Sequence, residues 1–128
     1  MSCFWDGIRE AVHKKNLLGG TRFKNAKELA VYLKTHNERP NHVSVCGTKL
    51  TPQNHRECVE AVSIYNPKNV KNGYLCGTQD SFLILLCYLT KSKITQRYLH
   101  TNIVYQYKDC ETPHLTFQND KGHFWSTT

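Results

Sequence analysis

The stretch Ser81-Phe82-Leu83-Ile84-Leu85-Leu86-Cys87-Tyr88-Leu89-Thr90-Lys91-Ser92-Lys93-Ile94-Thr95-Gln96-Arg97-Tyr98 divides the chain in two. Its first half is an apolar run in which leucine dominates over β-branched residues, so 81–89 reads as a helix buried on most sides. From Lys93 the pattern changes to strands, at 94–98, 102–107, 115–117 and 123–125. Turn residues separate them, among them Lys108-Asp109 and Asn119-Asp120-Lys121-Gly122. Helices first and a meander last predict an α+β protein, with N-terminal helices packed on a small, mostly antiparallel C-terminal sheet.

Upstream of the divide, residues 3–14 place Phe4, Ile8, Ala11 and Val12 on one helical stripe, with Asp6 and Glu10 near the front and Lys14 and Lys15 at the back. Asn16 and the Gly19-Gly20 turn end that helix. Asn25 caps a second one, with Leu29, Tyr32 and Leu33 facing the core, and it closes before Pro40. Residues 42–46 alternate Val43 and Val45 as a short strand or extended loop. Thr51-Pro52 starts a third helix, with Cys58, Val59, Ala61 and Val62 as its buried face up to about Tyr65. A loop over 66–77 follows, with Gly73 and Gly77 as hinges, and Thr78-Gln79-Asp80 then caps the apolar run.

At 128 residues and 14.8 kDa, the chain has room for a single domain, here 1–128. Its 39% hydrophobic content and mean hydropathy of −0.57 fit a globular protein, and the run 82–89 is far short of the roughly 20 residues a membrane span needs. No membrane contact is expected. Met1-Ser2-Cys3-Phe4-Trp5-Asp6 has no basic region leading into an apolar stretch, so the expected location is intracellular and cytoplasmic. Seventeen Lys and Arg against ten Asp and Glu give +7, a balance that often accompanies nucleic-acid binding. These cations are scattered and form no run, which suits a solvated basic surface. As a nucleic-acid module, the chain would use Lys and Arg with Tyr98, Tyr105 and Tyr107 as stacking groups.

The six cysteines contain no C-x-x-C pair, so a zinc ribbon lacks its chelating hairpin. The best constellation, His42-x-x-x-Cys46 with Cys110-x-x-x-His114, is weak, and no metal site is assigned. Cys58 and Cys87 lie inside apolar patterns and read as small core residues.

Cys3 is different because it opens a helix, where unpaired N–H groups and the positive end of the dipole stabilise a thiolate. Such a nucleophile needs a general base from elsewhere in the chain. His123 is the natural candidate. Gly122 before it leaves room for close approach, while Phe124 and Trp125 anchor its strand in the core so that the imidazole faces a cleft. That cleft would be lined by Phe4, Trp5, Gly122, Phe124 and Trp125. His13, His36, His55 and His100 read as surface or satisfied histidines, and Asp6 as a first-turn dipole partner.

The two ends carry distinctive wording, Ser2-Cys3-Phe4-Trp5-Asp6-Gly7-Ile8 and Asp120-Lys121-Gly122-His123-Phe124-Trp125. Between them lie Gly73-Tyr74-Leu75-Cys76-Gly77-Thr78-Gln79-Asp80-Ser81-Phe82-Leu83, Lys93-Ile94-Thr95 and Ile103-Val104-Tyr105. In this order and spacing the chain resembles the ovarian-tumour (OTU) family of papain-like cysteine proteases, particularly compact virus-type members. The resemblance implies a papain-like, OTU-like fold and a deubiquitinase or related isopeptidase, located in the host cytoplasm for a viral member. It implies Cys3 as nucleophile and His123 as base, then acid, with the oxyanion held by the Cys3 backbone N–H and a loop donor.

The implied partner is ubiquitin or a ubiquitin-like modifier, met by a monomer without a cofactor. The family's Asp-Gly-Asn before the cysteine is absent, since Met1 and Ser2 stand there. Its Asn or Asp two residues after the histidine is replaced by Trp125, which cannot accept a hydrogen bond. The orienting group is then Asn119 or Asp120 from the preceding turn, or a backbone carbonyl. A further reading is a catalytically silent relative that only binds ubiquitin or another protein.

Overall fold

The computed structural model describes residues 3–72, 79–120 and 122–128. Helix α1 (Cys3–Lys14) buries Phe4, Trp5, Gly7, Ile8, Ala11 and Val12. It stops where Asn16 adopts a left-handed backbone (φ 54°) and the Leu17 N–H reaches back to the Val12 carbonyl at 3.0 Å. Helix α2 (Ala26–Thr35) starts as expected, the Asn25 side chain accepting from the Glu28 N–H at 3.0 Å. Its buried face is Ala26, Leu29, Ala30 and Leu33, with Tyr32 half-buried at the margin.

Helix α3 (Pro52–Ile64) carries a reciprocal capping box. Thr51 Oγ1 accepts from the Asn54 N–H at 3.1 Å, and Asn54 Oδ1 accepts from the Thr51 N–H at 3.0 Å. The segment expected to be loop begins instead with a 3-10 turn, Pro67–Asn72. Gly73, Gly77 and Thr78 lie outside the described residues. Helix α4 (Gln79–Thr90) is buried at every position from Ser81 to Cys87, as its leucine-rich run predicts.

The strands are β1 (Val43–Val45), β2 (Thr48–Lys49), β3 (Lys93–Tyr98), β4 (Thr101–Tyr107), β5 (His114–Asp120) and β6 (His123–Ser126). They form one mixed sheet in the order β2-β1-β4-β3-β5-β6. The α+β class therefore stands, with four antiparallel pairings and one parallel pairing, β3 with β5. The meander does not. The outer edge of β4 is already taken by β1, with Val43 opposite Tyr107 and Val45 opposite Tyr105, so β5 pairs on the far side of β3. Nor is the sheet wholly C-terminal, since β1 and β2 come from the first half of the chain. The last strands are also longer than expected, and Asn119 and Asp120 belong to β5 rather than to the turn.

Register places Ile94 beside both Tyr105 and Leu115, and all three are buried. An aromatic cluster fills the space between α1, α3, α4 and the sheet. Trp5 meets the Phe82 ring edge-on at 4.7 Å between centroids, Phe4 contacts Trp5 and Phe124, and Phe117 stacks on Phe124 at 5.1 Å. The indole N–H of Trp5 donates to the Tyr65 hydroxyl at 3.0 Å, which satisfies the one polar atom of that buried ring. Among the described residues, no helix is long and apolar enough to cross a membrane.

Candidate active site

Residues from opposite ends of the chain meet because α1 lies directly against β6. A Cβ at Gly7 would sit 3.0 Å from two carbons of the Phe124 ring and 3.4 Å from the Trp125 Cα. Phe124 has little freedom to retreat, since Phe4 and Phe117 pack on it from other sides. The missing side chain of Gly7 is what lets the helix and strand approach this closely.

At the open end of this contact, Cys3 Sγ and His123 Nδ1 are 3.7 Å apart, within reach of a sulfur hydrogen bond. Cys3 is half-buried in the first turn of α1, and His123 is exposed. The His123 ring packs on Trp125, with centroids 4.8 Å apart and planes tilted by 38°. The two share a face of β6 because side chains two apart on a strand point the same way.

Other expected site residues fall elsewhere. Phe4, Trp5 and Phe124 do not line a cleft, because they are core side chains with at most 5% of their surface exposed. Trp125 is half-buried on the His123 face rather than anchored in the core.

Gly122 is required for a different reason from close approach. A Cβ there would meet nothing within 4 Å, but its φ of +82° is a conformation that L side chains resist. Gly122→Ala should therefore cost about 1 kcal/mol. It should lower the thermal midpoint of unfolding, and an unchanged midpoint would show that the turn tolerates a side chain.

Neither expected orienting residue is hydrogen-bonded to the imidazole. Asn119 Nδ2 donates instead to Gln96 Oε1 at 2.8 Å, and Asp120 Oδ1 accepts from Gln118 Nε2 at 2.7 Å. Asp120 nonetheless sits directly opposite His123 in the ladder, where the two close the β5–β6 hairpin. Among the described residues, no side chain is hydrogen-bonded to the other nitrogen of His123.

The remaining thiols differ from Cys3. Burial pushes Cys58 up and Cys87 up to about 12, so both stay protonated and inert. Cys46 is exposed and Cys110 half-buried. Among the described cysteines, Cys3 is the one with a histidine nitrogen at its sulfur. No group of three or more metal-ligating side chains converges among the described residues.

His13 accepts from the Phe23 N–H at 3.0 Å, and His36 Nδ1 lies 2.8 Å from the Tyr32 carbonyl oxygen, in keeping with satisfied histidines. Desolvation, with Arg22 and Arg9 nearby, lowers the His13 pKa and favours the neutral ring this contact needs. Tyr105 is no stacking group for nucleic acid, being 1% exposed and hydrogen-bonded inside the fold. The chain matches no protein-family model, no curated protein and no solved structure.

Proposed function

We propose that the chain is a cysteine isopeptidase of the OTU, papain-like type, acting on the C-terminal amide of ubiquitin or a similar modifier. The observation that carries this reading is the Cys3 thiol at a helix N-terminus with His123 Nδ1 3.7 Å away. The choice of modifier rests on the sequence resemblance. His123 takes the thiol proton, and Sγ attacks the modifier's terminal carbonyl carbon. Negative charge then develops on the carbonyl oxygen, where the backbone N–H of Cys3 and the positive end of the α1 dipole favour it. The C–N bond breaks, His123 returns the proton to the departing amine, and a thioester to Cys3 remains. Water, deprotonated by His123, attacks the thioester, releasing the modifier's carboxylic acid and restoring the thiol.

Trp125 takes the place of a hydrogen-bonding partner for the imidazole. Its ring holds the histidine by packing, and an indole face favours the positive charge that His123 carries midway through the cycle. The same feature favours a second reading, a silent relative that binds without turnover, because no side chain among the described residues accepts from the imidazole to set its tautomer.

Ubiquitin bearing a thiol-reactive group at its C-terminus separates the two. The isopeptidase reading expects one covalent adduct, mapped by peptide mass to Cys3 and absent from Cys3→Ala. Adducts spread over Cys46 and Cys110, or binding with no adduct, would reject it.

A further inference from the structure

A chain of polar side chains, buried at Gln96 and Tyr105 and ending at the exposed Asp80, crosses the sheet from the hairpin that presents His123. Gln96 of β3, 2% exposed, is its hub. Its Oε1 accepts from Asn119 Nδ2 of β5 at 2.8 Å and from Gln79 Nε2 of α4 at 2.9 Å. Its Nε2 donates to the Tyr105 hydroxyl of β4 at 3.2 Å, and that hydroxyl donates to Asp80 Oδ1 at 2.5 Å. Each group has one allowed role. A carboxylate only accepts, so Tyr105 must give it the phenol hydrogen, and the phenol oxygen must then accept from Gln96. Burial, and next the Asp80 charge, push the Tyr105 pKa far up and keep that hydrogen in place. The Gln96 amide is thereby oriented, with its oxygen toward Asn119.

Asn119 is the last residue of β5 before the pair Asp120 and His123 that closes the hairpin. It is held twice, by its side chain to Gln96 and by its carbonyl, which accepts from the Leu99 N–H at 3.0 Å. We infer that the directional relay from Asn119 through Gln96 and Tyr105 to Asp80 positions the His123 hairpin against Cys3, with Gln96 as the positioning residue. This inference rests on the cysteine–histidine reading above. The titratable groups on the relay are Asp80 from α4 and Tyr105 from β4; Cys46 of the β1–β2 turn acts on Tyr105, Cys58 of α3 is within electrostatic reach of Asp80, and β5 presents the neutral Asn119.

Gln96→Glu is nearly isosteric and tests the direction. Two carboxylates then compete for the single phenol hydrogen. Protonating the introduced carboxylate restores a donor toward Tyr105. Adding Asp80→Asn reverses the relay without loss, since the new amide would donate to the phenol oxygen and Tyr105 would donate to the introduced carboxylate.

The readout is the rate at which iodoacetamide alkylates Cys3, followed by peptide mass on protein shown to be folded by circular dichroism. Relative to the unaltered chain, Gln96→Glu should react about tenfold more slowly at pH 8, since small displacements of a reacting pair are costly. The ratio should climb toward one as pH falls, and the double variant should restore it at pH 8. In a His123→Ala background, Gln96→Glu should have no further effect, which separates positioning from general destabilisation.

A ratio of one at every pH in folded Gln96→Glu would overturn the inference, as would a double variant no faster than the single one. If Gln96→Glu does not fold, Asn119→Ala removes only the outer arm, and unchanged alkylation there would overturn it equally. Failure of the ubiquitin reagent to label the unaltered protein, with these alkylation ratios intact, would reject the isopeptidase reading and leave the relay standing.

Discussion

On the proposed isopeptidase reading, alanine at position 123 is expected to slow covalent capture and cleavage of a ubiquitin amide by about 10²–10⁴-fold, the range a positioned general base contributes. The imidazole is the one basic side chain at hydrogen-bonding distance from the Cys3 sulfur among the described residues. Without it, the thiol must lose its proton to bulk water and the departing amine must leave without a donor. His123 is exposed, so removing it should change stability by no more than about 0.5 kcal/mol, as for most surface sites. Kinetics and folding are thereby separable. Rates measured on folded His123→Ala within threefold of the original would mean that the proximity of the two residues has no catalytic consequence.

Trp5→Ala should have the largest effect on stability. The side chain is 1% exposed, touches Phe4, Tyr65 and Phe82, and gives its N–H to the Tyr65 hydroxyl. Emptying such a site costs about 3–5 kcal/mol, a large part of the roughly 5–15 kcal/mol that holds a domain together. Trp5→Phe keeps much of the ring volume and loses the hydrogen bond, so it should cost distinctly less. Urea unfolding measures both. A Trp5→Ala loss below about 1 kcal/mol would show that the aromatic cluster is not the stabilising centre it resembles, given the usual cost of large-to-small core changes.

Much of the local structure was legible in the residues because local rules decide it. Asn25 and Thr51-Pro52 mark helix starts by chemistry that acts within a single helical turn, and the leucine-rich run at 82–89 declares a buried helix by composition. The pairing of strands was not legible, because alternation reports which face a residue occupies and not which strand lies beside it. The meander failed for a non-local reason, the short strand at Val43–Val45 occupying an edge that a long intervening stretch of chain conceals. The two-residue strand Thr48–Lys49 is exposed throughout and leaves no hydrophobic trace.

At the candidate site, Cys3 and His123 were legible through their settings, a helix start and a glycine turn. The cleft was not. Phe4, Trp5 and Phe124 flank Cys3 and His123 in sequence but belong to the core, pointing away from them in space. Asn119 carried no sign of its partner, since nothing local ties it to a glutamine 23 residues earlier.

The meeting of α1 with β6 makes the Cys3–His123 pair a loop closure of 120 residues. Closing so long a loop carries an entropic cost, and pairing between such distant segments is intrinsically slow. On the proposed reading, the chemistry of Cys3 therefore reports completed folding. A chain still emerging from the ribosome holds its cysteine without its histidine, and a molecule whose last strand frays loses the pairing even while its helices hold.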